Sequence, residues 1–232
     1  MKRLSRSIRK KIRYMLDAKT VRISGVKLIT DKDRIPAHLR DLIFREAYED
    51  TEKNVLLSVL KPGMKVLEIG TGVGFIALLA ASICGEKNVL TYEANPDAEE
   101  LIRENFALNN LHPTMEMRAI TVDGRDLTFH AAENVISSSA FAIDAKSKNV
   151  VVRSDRFMDV LNSYKPDIVI MDVEGSEYEL LLGATELKAN NILVELHPGI
   201  IGQDKVDEIC DHLKDIGYQQ GFSDRKTVHF RR

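Results

Sequence analysis

One stretch restricts the fold of this chain more than any other. Val66-Leu67-Glu68-Ile69 is a short apolar run, Gly70-Thr71-Gly72-Val73-Gly74 follows it, and residues 75–83 are almost wholly apolar. A strand that passes through a glycine-rich turn directly into a buried helix begins a β-α-β unit, which requires a sheet covered by helices. Glycines let the backbone turn sharply and let a ligand come close. The dinucleotide fingerprint is G-x-G-x-x-G, and its third glycine would fall on Phe75. The spacing here is G-x-G-x-G, with Glu68 two residues before the first glycine. That suits a ligand without a pyrophosphate, whose ammonium Glu68 can meet directly or through water.

The rest of the chain extends the alternation. Strands are expected at 89–92, 115–120, 167–172 and 192–196, and helices at 96–109, 156–163, 178–188 and 206–216. Segments 218–222 and 227–230 read as a closing hairpin, and 121–152 as an inserted hairpin or pair of strands. Before the glycine turn the chain looks mostly helical, with a strand-like patch over 21–30, a helix after Pro36 and another over 50–60. Lys61-Pro62-Gly63 is turn chemistry. The chain therefore divides into a basic, helical extension over 1–60 and an α/β domain over 61–232.

Charge sharpens the reading of the extension. Lys2, Arg3, Arg6, Arg9, Lys10, Lys11 and Arg13 all precede the first acid, Asp17, while Leu4, Ile8, Ile12, Met15 and Leu16 recur at helical spacing. This is a basic amphipathic helix. It either contacts anionic lipid, an acidic glycan or nucleic acid, or packs its apolar stripe on the domain and leaves its basic face in water. The second reading is favoured. Overall, 33 Lys and Arg against 35 Asp and Glu give a net charge of −2, so there is no global attraction to nucleic acid. No apolar run approaches the roughly 20 residues needed to span a bilayer, and 2 cysteines do not make a disulfide scaffold. The expected location is the cytoplasm, with the basic helix available to a membrane face.

Candidate site residues fall at expected strand ends. Glu93 ends the second strand, where an acid can accept both hydroxyls of a ribose. With the glycine loop, it points to S-adenosylmethionine. Asp172 ends a strongly apolar strand, and Glu174 and Glu177 follow it. Glu195 and His197 lie two apart at the end of the next strand, so both side chains share one face of an extended chain. If those strands are neighbours, four acids and an imidazole converge beside the sulfonium. An alcohol acceptor must lose its proton, and Asp172, His197 and Glu174 are the candidate catalytic groups; His197 is the natural base near neutral pH. Alternatively, Asp172 and Glu195 hold Mg²⁺ or Ca²⁺, which lowers the hydroxyl pKa. No Cys/His spacing fits zinc. Glu174 could instead cap the following helix, and Glu177 could sit in its first turn to complement the dipole.

These motifs resemble the class I S-adenosylmethionine-dependent methyltransferases, and more narrowly the FkbM-type family. The likeness rests on Val66 to Phe75, on Tyr92-Glu93-Ala94-Asn95-Pro96, on Asn105 to Asn110, on Ile170-Met171-Asp172-Val173-Glu174-Gly175-Ser176-Glu177 with Gly183-Ala184, and on Ile192 to Pro198. Ala94 and Ser176 depart from the family's usual Pro and Ala. The resemblance implies a Rossmann-like, seven-stranded, mostly parallel sheet with helices on both faces and an antiparallel last strand. It also implies methyl transfer to a hydroxyl oxygen of a sugar, glycan or polyketide-like small molecule. By alignment, Glu68, Gly70, Thr71, Gly72, Gly74, Glu93, Ala94 and Asp172 would line the cofactor, and the backbone of Ala119 would meet its adenine.

Rival functions are a ribose 2′-O methyltransferase gripping phosphates with the basic helix, and a non-catalytic S-adenosylmethionine-binding module. Base amino methylation is disfavoured, because the usual (N/D)-P-P-(Y/F) position reads Asp172-Val173-Glu174-Gly175 and an acidic crevice repels a phosphate backbone. A dehydrogenase is the weakest rival on glycine spacing. The sequence carries no signal for an oligomeric state.

Overall fold

The computed structural model describes residues 5–129, 150–184, 186–224 and 226–232. In chain order the elements are α1 (Arg6–Met15), β1 (Thr20–Ile23), β2 (Val26–Ile29), α2 (Ala37–Arg45), α3 (Asp50–Val59), β3 (Val66–Ile69), α4 (Phe75–Cys84), β4 (Val89–Tyr92) and α5 (Glu99–Asn109). Then come β5 (Thr114–Glu116), β6 (Ala119–Thr121), β7 (Leu127–Phe129), β8 (Val150–Val152), β9 (Ser154–Arg156), α6 (Phe157–Tyr164) and β10 (Ile168–Met171). The chain ends with α7 (Glu177–Leu182), β11 (Asn191–Glu195), α8 (Pro198–Ile201), α9 (Gln203–Asp215), β12 (Gln219–Asp224) and β13 (Thr227–Arg231).

Seven strands form the main sheet in the order β12-β13-β11-β10-β3-β4-β5. The strands β5, β4, β3, β10 and β11 run parallel, and β13 is antiparallel to both of its neighbours. The fold is thus the expected Rossmann-like sheet. Of the central strands β10 is wholly apolar and β3 is apolar but for Glu68, because both their faces are covered. Val66, Ile168, Ile170 and Leu193 enter the core beneath α4 and α5, whereas Leu67, Ile69, Val169, Met171, Ile192 and Val194 enter the opposite core with α6, α7 and α9. That is the period-2 alternation of a strand serving two cores. The hairpin of β1 and β2, with Leu39, Phe44 and Leu56, belongs to the first of these cores.

Three expectations need correction. The strand expected over 115–120 divides: β5 joins the main sheet, while β6 pairs with β9 in a separate two-stranded sheet. The helix expected over 178–188 ends at Leu182, ahead of Gly183. The expected insertion over 121–152, by contrast, is present as the antiparallel pair β7 and β8, and 130–149 lie outside the described residues.

The third correction concerns α1, which docks the other way round. Arg6 pairs with Asp50 at 3.2 Å, Arg9 and Arg13 each with Glu46 at 2.7 Å, and Lys10 with Asp41 at 2.7 Å. Arg13 also donates to the Phe44 carbonyl at 2.6 Å. The apolar stripe of Ile8, Ile12, Met15 and Leu16 is exposed. Acids on α2 and α3 therefore outcompete burial of a short apolar stripe. Among the described residues no helix is long and apolar enough to cross a membrane.

Candidate active site

The parallel register levels the strand ends. Met171 stands opposite both Val194 of β11 and Ile69 of β3. The next residues, Gly70, Asp172 and Glu195, therefore line up along the carboxyl edge of the sheet, where open α/β sheets bind ligands.

The loop after β3 passes very close to its neighbours. Gly70 has φ +91°, and a Cβ there would lie 1.9 Å from the Asp172 carbonyl oxygen. Gly72 has φ +58°, and its Cβ would lie 2.6 Å from the Tyr48 hydroxyl. Only glycine combines that backbone with that approach. Gly74, φ +82°, sits at the start of α4.

Hydrogen bonds fix the loop from beneath. Gly70 N donates to the Tyr92 carbonyl at 2.9 Å, and Thr71 Oγ1 to the same oxygen at 3.1 Å. The Thr91 hydroxyl bridges Thr71 Oγ1 and the Glu68 carboxylate. Glu93 Oε2 accepts from Thr71 N at 3.1 Å and Gly72 N at 3.0 Å, and its Oε1 accepts from Asn95 N at 2.7 Å. Glu93 thus clamps the loop through the backbone N–H groups that converge on its carboxylate. Ala94 follows it in the same turn, and Ala119 N donates to the Arg153 carbonyl at 2.9 Å.

The acids around this loop are poorly neutralised. Glu68 is 2% exposed, and burial pushes its pKa up to about 8 against the opposing Thr91 hydrogen bond. Glu49, between α2 and α3, has a buried Oε2 with no hydrogen-bond partner. Burial raises it well above the usual carboxylate range, and the charges of Glu68, Glu52 and Asp172 add to the shift. Neither Tyr48 nor Glu49 was expected at the site. They lie in the extension, outside every motif, and no spacing points to them.

The second half of the site gathers at β10 and β11. His197 is 3% exposed, and its Nδ1 lies 3.2 Å from Glu177 Oε1. Glu177 is fully buried. Its carboxylate also accepts from Gly175 N at 2.6 Å and His197 N at 3.0 Å. Glu177 is thus more than a first-turn acid on α7: it fixes the imidazole. A third acid following β10, after Asp172 and Glu174, was its signal in the sequence. Glu174 does not cap α7; it adopts φ +50° two residues ahead of the Ser176 cap position.

His197 Nε2 faces Asp172 Oδ1, Glu174 Oε2 and Glu195 Oε1, each at 3.6 Å. Lys226 Nζ approaches Glu195 Oε1 at 3.7 Å. Desolvation and the Glu195 charge raise the Asp172 pKa, and desolvation with Glu52 raises that of Glu195. Burial alone would lower His197, but Glu177, Asp172 and Glu174 outweigh it and raise the imidazole. The structure therefore brings Asp172, Glu174, Glu195 and His197 together beside the glycine loop, with Glu68 and Glu93 on the loop's sheet side.

Residues 68–220 match the Methyltransferase FkbM domain. The chain is 26% identical to the hexuronic acid methyltransferase AglP of Haloferax volcanii over 144 residues, covering 59% of this chain and 57% of that protein. It is 28% identical to the ribosomal protein L11 methyltransferase of Caldicellulosiruptor saccharolyticus over 120 residues, covering 47% and 39%. The chain spans about half the length of the curated relatives it matches. Among solved structures, the magnesium protoporphyrin IX methyltransferase of Synechocystis PCC 6803 with bound SAM superposes with a TM-score of 0.52 at 14% identity, over 100% of this chain and 99% of that one.

Proposed function

Because the chain belongs to the FkbM methyltransferase family, we propose that it is an S-adenosylmethionine-dependent O-methyltransferase acting on a hydroxyl of a sugar, glycan or polyketide-like small molecule. The observation that carries this reading is the adjacency of two half-sites. Gly70 would touch the Asp172 carbonyl through any side chain, so the glycine loop and the Asp172 cluster form one crevice.

The cofactor fits the loop side. Its ammonium and sulfonium are cationic, and Glu49 and Glu68 are acids with no Lys or Arg partner among the described residues, Glu49 with an unpartnered buried oxygen. Glu93, which holds the loop at the end of β4, is the acid placed to meet the ribose. When bound, S-adenosylmethionine supplies a methyl group activated by its sulfonium. The chain must then hold the acceptor in line and take its proton. Positioning alone supplies several kcal/mol, and the imidazole and carboxylates of His197, Asp172 and Glu174 are the proton acceptors at hand.

A sugar acceptor is favoured by the hexuronic acid specificity in the name of one relative, and by an oxygen-rich cluster suited to bonding hydroxyls. The nucleic-acid reading loses its grip, because Arg6, Arg9, Lys10 and Arg13 engage acids of α2 and α3.

Calorimetric titration with S-adenosylhomocysteine, with NAD as the control ligand, tests the proposal. Micromolar binding of the first and none of the second is expected, followed by methylation in a screen of uronic acids, neutral sugars and polyketides. Asp172→Ala should abolish turnover while leaving cofactor affinity largely intact. Absence of S-adenosylhomocysteine binding, or full turnover in Asp172→Ala, would overturn the assignment.

A further inference from the structure

We propose that Asp172, Glu195 and His197 form a binding site for one divalent first-row transition ion, with Mn²⁺ as its probe. The argument starts from the imidazole. A carboxylate only accepts hydrogen bonds, so the buried Glu177 requires the proton of His197 to sit on Nδ1. In the neutral ring Nε2 is then a lone pair. It makes no hydrogen bond among the described residues, and three carboxylate oxygens face it at the same 3.6 Å. That distance is too long for a hydrogen bond, so a proton on Nε2 would not satisfy any of them. Two of the facing oxygens, Asp172 Oδ1 and Glu174 Oε2, are buried and have no hydrogen-bond partner among the described residues.

One lone pair and the facing oxygens of Asp172 and Glu195 make an arrangement that a cation satisfies. The donor atoms of Asp172, Glu195 and His197 all lie within 4.8 Å of one another. An ion with bonds of about 2.0–2.2 Å separates its ligand atoms by no more than about 4.4 Å, so small side-chain movements close the site. The hydrogen bond from Nδ1 to Glu177 is the outer-shell support that metal-binding histidines have.

The donor set selects the ion. Carboxylates alone would suit Mg²⁺ or Ca²⁺, but an imidazole shifts the preference toward Mn²⁺, Fe²⁺, Co²⁺ or Zn²⁺. Its use in catalysis rests on the methyltransferase reading: a dication here lowers the pKa of an acceptor hydroxyl and offsets the acidity of the crevice toward an anionic sugar. Binding of the ion does not depend on that reading.

The test uses the full chain stripped with EDTA and titrated with MnCl₂ alone, followed by calorimetry and by loss of the free Mn²⁺ EPR signal. One equivalent should bind, and pulsed EPR should show coupling to an imidazole nitrogen. Glu195→Gln and His197→Gln should each weaken Mn²⁺ at least about tenfold, with circular dichroism confirming that they fold. Glu177→Gln should lower the affinity about 10–100-fold and alter the nitrogen coupling. Glu186→Gln, an exposed carboxylate paired with Lys188, should change nothing. Absence of saturable uptake, lack of nitrogen coupling, or uptake unchanged in His197→Gln would overturn the site. A parallel S-adenosylhomocysteine titration separates the two ideas. Its success with failed Mn²⁺ binding removes only the metal, and the reverse removes only the methyltransferase reading.

Discussion

Replacing Glu177 with Gln removes one charge and no volume, and the structure fixes what that should do. The carboxylate is fully buried and accepts three N–H groups, Gly175 N at 2.6 Å, His197 N at 3.0 Å and His197 Nδ1 at 3.2 Å. Hydrogen bonds to a charged group contribute about 1.5–3 kcal/mol each. Glutamine keeps one acceptor oxygen but turns its NH₂ toward a donor, so at least one buried N–H loses its partner. We expect destabilisation of about 2–4 kcal/mol, read by urea unfolding. The pH dependence carries the sharper test. His197 holds Glu177 below its usual 4.5 against the opposing effect of burial, so this stability is present above 4.5 and lost as pH falls through the depressed value. His197 is held above its usual 6.5, so its share is present below 6.5 and lost as pH rises through the raised value. The gap between wild type and variant should therefore be widest between about pH 4.5 and 6.5. A gap below about 0.5 kcal/mol in that window, or one constant from pH 4 to about 9, would refute the ion-paired imidazole.

Three further outcomes follow from the same geometry. Gly70→Ala places a methyl 1.9 Å from a backbone oxygen at φ +91°; a loss of at least about 2 kcal/mol in chemical denaturation is expected, and near-native stability would contradict the close crossing. Glu68 binds a proton up to about pH 8 in the fold, so wild-type stability should fall as pH rises from about 4.5 to 8. In Glu68→Gln that slope should flatten, and parallel melting curves for the two would count against the buried acid. Arg13→Ala removes its bond to Glu46 and to the Phe44 carbonyl; faster hydrogen exchange in α1 and a loss of about 1–2 kcal/mol are expected, and unchanged exchange would show that α1 is held otherwise.

The sequence made the sheet and half the site readable because both are local patterns. Doubly covered strands are apolar runs, and Gly70 to Gly74 between such a strand and an apolar helix leaves few alternatives. Asp172, Glu195 and His197 were readable as strand-end residues, and the pairing of β10 with β11 brings them together. What was hidden depends on tertiary partners. The orientation of α1 is decided by Asp41, Glu46 and Asp50, acids more than twenty residues away in the chain. Tyr48 and Glu49 reach the glycine loop through a connection that has no motif. The division of residues 115–120 between two sheets reflects the separate pairing of β6 with β9, which no alternation encodes.

Two sets of acids in the chain are held in opposite ways. Near the N-terminus, Lys10 holds Asp41 below its usual pKa, and Arg9 and Arg13 do the same for Glu46 against the opposing effect of burial. Those carboxylates are neutralised by the chain's own cations, and they dock a helix. Around the glycine loop, Glu49, Glu68, Asp172 and Glu195 are all raised, with desolvation the largest cause in each. As pH rises above the ordinary carboxylate range these groups keep protons that the unfolded chain has released, so each lowers stability as pH rises. A cationic ligand reverses that balance. At a hundred times its dissociation constant, it adds about 2.7 kcal/mol to the fold. The increment should grow with pH, because the acids must ionise to receive the cation. A crevice that weakens the empty protein and is repaired by positive charge is best understood as built for its ligands.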